Sequence, residues 1–153
     1  MNDLLKAEIV ALARQKLAEF TTEEEQIGNC LFQTVAVIIA AREHGLDLVL
    51  YAGSAHWPVD ATGTFGFEWD PEHPVSQLRL IQGALPEMHV WAGDPRAQEI
   101  VDISTAHWRA YFDRTCAQVE GWVWTAPDPP AFLWCRPEAL PPRVDYRPDR
   151  LAA

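Results

Sequence analysis

Three side chains of this 153-residue chain have the types needed for a nucleophile, a proton carrier and its anionic partner: Cys30, His89 and Asp102. Cys30 follows Gly28-Asn29 at a point where a helix is expected to begin. Unpaired amides at a helix start carry partial positive charge. They favour thiolate over thiol and can donate to the oxyanion formed when a carbonyl is attacked. His89 and Asp102 sit in two apolar runs joined by Gly93-Asp94-Pro95-Arg96, a turn sequence. A hairpin centred between Pro95 and Arg96 sets His89 directly opposite Asp102, on one face of a sheet. A carboxylate there would fix the imidazole tautomer, support its charged form and leave the second ring nitrogen for the thiol. The chemistry this spells is attack by sulfur on an amide or ester carbonyl. Without function, the same residues are a small hydrophobe at a helix start and a cross-strand polar pair.

Bringing residue 30 to a hairpin at 89–102 requires a helix packed on a sheet. Leu4, Leu5, Ile9, Leu12, Ala13, Leu17 and Phe20 recur at helical spacing and predict an amphipathic first helix. Thr21 to Glu25 form a polar, acidic break suited to a helix end and a new first turn. A second helix is predicted from Cys30 to about His44, with Asn29 as N-cap and Gly45 as terminator. Leu31, Phe32 and the run Val35 to Ala40 leave it almost no polar face, which predicts burial on all sides. Strands are expected at Leu46–Tyr51, Thr62–Trp69, near Gln77–Gln82, at Met88–Ala92 and at Gln98–Ile103. Ser104 is placed to cap a helix reaching about Cys116, with short strands at Trp122–Trp124 and Phe132–Cys135. Seven of the twelve prolines lie from Pro127 onward and predict an extended or irregular tail that wraps the domain. The fold class expected is α+β: a buried central helix with Cys30 at its N-terminus on a mainly antiparallel sheet. No linker divides residues 1–153, which read as one domain.

Composition narrows the partners. Twelve Lys and Arg against 22 Asp and Glu give a net charge of −10, a poor match for a nucleic-acid backbone. No apolar run approaches the ~20 residues that span a bilayer, and the N-terminus lacks a signal-peptide layout, so a cytoplasmic protein without membrane association is expected. Cys30, Cys116 and Cys135 are odd in number and widely spaced, indicating neither a disulfide framework nor a zinc site. No phosphate-binding glycine motif occurs, so no cofactor is expected; Cys30, His89 and Asp102 could hold zinc, but a helix N-terminus repels a cation, so no metal is expected. All seven tryptophans lie between Trp57 and Trp134 and read as core, or as a ligand-stacking face.

The run Gly28-Asn29-Cys30-Leu31-Phe32-Gln33-Thr34-Val35-Ala36, then Ala41 to Asp47 and Tyr51-Ala52-Gly53, resembles the transglutaminase-like core, a papain-related fold. In that family a Gly-x-Cys opens a helix, an Arg-x-x-Gly turn closes it and a strand leads to a second Gly. His89-Val90-Trp91 is similar to the family's His-x-Trp strand, and Ile100 to Ser104 to its Asp-ended strand. The order Cys, His, Asp agrees, and the resemblance covers about residues 26–105, leaving a proline-rich tail at about 127–153. It implies Cys30 as nucleophile, His89 as general base and acid, and Asp102 as orienter. It also implies a peptide or protein amide as substrate, opened through an S-acyl intermediate that water hydrolyses or an amine intercepts. Many members place a Trp upstream of the cysteine as an oxyanion donor, but none precedes Trp57 here. Gln26 and Asn29 are the nearby side-chain amides, and His56, Trp57 and Trp91 the candidate substrate contacts. His56 is also the rival imidazole. His44 suits a helix end, His73 lies between prolines, and His107 precedes Trp108 on a predicted helix. The alternative function is an idle module of the same fold that binds a peptide or protein through a Trp-rich face. The oligomeric state is left open.

Overall fold

The structure, a computed structural model, describes residues 1–69, 88–115 and 122–149. Helix α1 (Asp3–Phe20) starts where the Asn2 side chain accepts from the Leu5 amide, and it buries Ile9, Val10, Ala13 and Leu17. The acidic break forms a one-turn helix, α2 (Glu23–Gln26), closed by a capping box. In it Thr22 accepts from the Glu25 amide and the Glu25 carboxylate accepts from the Thr22 amide. Helix α3 (Cys30–Glu43) is capped by Asn29, whose side chain accepts from Phe32 N, and it ends at Gly45 in the left-handed region.

Helix α3 is not buried on all sides. Its inner face presents Gln33, Thr34, Ala36, Val37, Ala40 and Ala41, and the Thr34 hydroxyl donates to the Val90 carbonyl. Leu31, Phe32, Val35 and Ile39 face outward, each more than 40 % exposed, beside Phe20 at the end of α1. The small inner residues let α3 lie close to α1 and the sheet, while the bulky ones point where no described element packs. Apolar composition tells how much a helix can bury, not how many neighbours surround it.

Among the described residues six strands form one antiparallel sheet: β1 (Val49–Pro58), β2 (Thr64–Phe67), β3 (His89–Asp94), β4 (Glu99–Asp102), β5 (Leu133–Cys135) and β6 (Asp145–Pro148). The order is β2-β1-β3-β4-β5, with β6 paired to β1. One face packs Leu48, Ala92, Val101, Ile103 and Trp134 against α1 and α3. The other carries Ala55, Trp57, Phe65, Trp91, Ile100, Leu133 and Tyr146, packed with Trp108 and Phe112 of α4 (Trp108–Thr115) and with Trp124. A 3-10 turn, Ser104–His107, leads from β4 into α4.

Several expectations are displaced. Strand β1 starts later than expected and runs on through Gly53, because the glycine permits close approach rather than ending the strand: a Cβ there would lie 2.1 Å from the Arg147 carbonyl oxygen on β6. The prolines of the tail hid β6, which has one inward side chain, Tyr146, between half-buried and exposed neighbours. Trp122–Trp124 forms no strand. The amides of Thr125 and Ala126 donate instead to the Val59 carbonyl. Ser104 is not a helix cap, since its amide and hydroxyl both donate to Asp102. The strand expected near 77–82, the loop around His73 and Cys116 lie outside the described residues.

Candidate active site

Cys30 is half-buried at the first position of α3, after Gly28 turns the chain at φ +78°. A Cβ on Gly28 would come within 2.8 Å of the Tyr111 ring, so the approach to the cysteine requires glycine on two counts. Asn29 takes up the Phe32 amide, and its carbonyl accepts from Gln33 N. At the first turn of a helix the Cys30 and Leu31 amides have no partner within the helix itself.

The β3–β4 hairpin delivers the other two groups in a register that differs from expectation. Asp94 pairs with Glu99, Gly93 with Ile100 and Ala92 with Val101, so the turn centres between Arg96 and Ala97. The Asp94 carboxylate accepts from the Arg96 and Ala97 amides, and Gln98 adopts φ +55° to close a four-residue loop. Continuing this register sets Asp102 against Trp91, two residues from His89. A shift of two keeps every side chain on its face, whereas a shift of one would have separated the pair. His89 therefore meets Asp102 diagonally, with Nε2 2.7 Å from Oδ2.

Asp102 is fully engaged. Oδ1 accepts from the Ser104 amide at 2.8 Å and the Ser104 hydroxyl at 2.6 Å, while Oδ2 also accepts from the Tyr146 hydroxyl at 2.7 Å. The Trp57 indole donates to the Tyr146 oxygen at 3.2 Å, and the Trp108 indole to the Ser104 oxygen at 3.3 Å. Burial opposes ionisation of Asp102, yet the His89 charge and these hydrogen bonds hold its carboxyl below the usual range. Burial and the neighbouring carboxylate push the Tyr146 phenol well above its ordinary value, so it remains a donor.

His89 is 1 % exposed. Its ring stacks beside Phe67 at 5.8 Å and Trp91 at 5.8 Å, with the edge of Trp108 at 5.1 Å. Burial alone would lower the imidazole's pKa, but the charge and hydrogen bond of Asp102, with a smaller influence of Cys30, raise it to about 9. Nδ1 is buried and meets no hydrogen-bond partner. His89 and Cys30 line the same narrow cleft, a space of about 20 Å³ walled also by Gly28, Gln33, Phe67, Ser104, His107, Trp108 and Tyr111.

The structure thus gathers Cys30, His89 and Asp102, and it reassigns the secondary candidates. The Gln26 amide donates to the Thr21 hydroxyl, away from the cleft. Asn29 serves as the α3 cap. His56 extends from the sheet face opposite to Trp57, with Nε2 3.1 Å from Glu68. Trp57 holds Tyr146, and Trp91 is buried against His89, so neither contacts the cleft. Tyr146 went unrecognised in the sequence because it reaches Asp102 from a distant element, whereas Ser104 and Trp108 lie two and four residues from the groups they hold. Only the Asp-x-Ser spacing of Asp102 and Ser104 carried a local signal. Trp57, Trp91, Trp108, Trp124 and Trp134 are buried in the core, while Trp69 and Trp122 are half-buried.

Compared with known proteins, the chain matches no family model, no curated protein and no solved structure. Among the described residues no helix is long and apolar enough to cross a membrane, and no group of three His, Cys, Asp or Glu side chains could hold a metal ion.

Proposed function

We propose that this chain is a thiol hydrolase or acyltransferase of the transglutaminase-like type, acting on an amide or peptide carbonyl. The observation that carries the reading is the buried His89–Asp102 pair, whose unpartnered Nδ1 shares a cleft with a cysteine at a helix start. The Cys30 thiolate attacks the carbonyl carbon and forms a C–S bond, and the first α3 amides receive the oxyanion. Collapse breaks the C–N bond as imidazolium His89 gives its proton to the departing amine. Water then attacks the thioester while neutral His89 takes its proton. The acid departs, and the thiolate–imidazolium pair is restored. An amine in place of water gives transfer. Asp102 stays ionised throughout, holding the ring by Nε2 so that Nδ1 serves the sulfur.

An activated ester such as p-nitrophenyl acetate tests the reading. Expected is a hydroxylamine-labile acetyl adduct on Cys30, absent from Cys30→Ser and formed more slowly by Asp102→Asn. A wild-type protein that gives no adduct at a pH where iodoacetamide labels Cys30 would overturn it.

A further inference from the structure

We infer that His107 supplies the side-chain donor to the oxyanion, completing the carbonyl-binding site of the cleft. This deepens the proposed acyl chemistry and rests on Cys30 being its nucleophile.

An oxyanion site needs converging donors, and the helix start contributes only backbone amides. Of the amide side chains around Cys30, Gln26 donates to the Thr21 hydroxyl and Gln33 to the Gln26 carbonyl at 2.9 Å, while Asn29 accepts from Phe32 N and does not line the cleft. The Trp108 indole is held by Ser104. His107 remains. It lines the cleft with Cys30 and His89, and its Nδ1 is enclosed without a hydrogen-bond partner. An enclosed polar nitrogen left unpaired is costly, so most in folded proteins find a partner.

Two imidazoles thus face one cleft with opposite settings. His89 is paired to a carboxylate and carries charge. Among the described residues His107 has no carboxylate bonded to its ring, and burial lowers its pKa, a more distant Glu23 raising it and Arg14 lowering it. A neutral imidazole donates one N–H without competing for the thiol proton, whereas a second imidazolium would be repelled by the first. The ligand class is accordingly a neutral carbonyl, amide or ester, whose oxygen gains negative charge only during reaction.

The test compares two reactions of the same sulfur. Acetylation by p-nitrophenyl acetate passes through an oxyanion, whereas alkylation by iodoacetamide displaces iodide at a saturated carbon and forms none. His107→Phe and the smaller His107→Ala, which remove the donor, should slow acetylation about 100-fold. His107→Gln, which restores an N–H, should recover much of that loss. Alkylation should stay within about twofold of wild type in all three, which also reports an intact fold around Cys30. Equal slowing of both reactions, or of neither, overturns the role of His107 and leaves the nucleophile in place. A wild-type protein that is alkylated but never acetylated overturns the acyl chemistry and this inference together.

Discussion

Raising the pH should weaken the fold through His89 in a way that can be isolated. The imidazole pKa is 6.5 when unpaired and about 9 in the fold, where Asp102 outweighs the opposing effect of burial. Below pH 6.5 both folded and unfolded chains hold the proton, and the pair contributes its full stabilisation. Between 6.5 and 9 only the folded chain holds it, so stability falls as pH climbs, and above 9 the contribution is gone. At 1.36 kcal/mol per pH unit, the difference amounts to about 3 kcal/mol. That is a large share of the ~5–15 kcal/mol that holds a domain folded. Urea unfolding from pH 6 to 10 measures it, with Cys30→Ala compared against Cys30→Ala/His89→Gln so that thiol titration does not enter. The first protein should lose up to about 3 kcal/mol more than the second across this range, less the smaller share that Cys30 contributes to the shift. Parallel profiles for the two would refute a charged, carboxylate-bound His89.

Tyr146→Phe removes one of four donors to Asp102 and strands the Trp57 indole. A loss of about 1–3 kcal/mol in urea unfolding is expected, with acetylation of Cys30 retained because His89 and Ser104 still hold the carboxylate. Gly53→Ala drives a methyl into the Arg147 carbonyl and should cost about 1–3 kcal/mol. Hydrogen exchange should show loss of amide protection in β6 ahead of β3 and β4. Val35→Lys and Ile39→Lys lie on the outward face of α3 and should each change stability by no more than about 0.5 kcal/mol. Val37→Ala, on the inward face, should cost about 2 kcal/mol by the same assay.

Much of the site was legible because its signals are local. Gly28-Asn29-Cys30 announces a turn, a cap and a first helical residue, and all three appear where expected. His89 and Asp102 were joined by counting across a turn. The count assumed the tightest loop, whereas Asp94 caps a four-residue one, and the pair survives because two residues return a strand to the same face. The outward face of α3 was misread because periodicity reports composition around a helix and says nothing about which sides other elements occupy. Tyr146 was invisible because its strand is a four-residue segment in a proline-rich tail, recruited by the backbone of β1 rather than by its own pattern.

The sequence by itself determined the helix starts, the alternation that puts His89 and Asp102 on one face, and the acidic charge, since each depends on neighbours a few residues away. Only the tertiary structure decided that the carboxylate has four donors, that five of the seven tryptophans are buried and that His107 shares the cleft with Cys30. Those facts depend on segments from both ends of the chain closing over the same few ångströms. Chain spacing carries no record of that meeting, because it is set by which faces can be buried together.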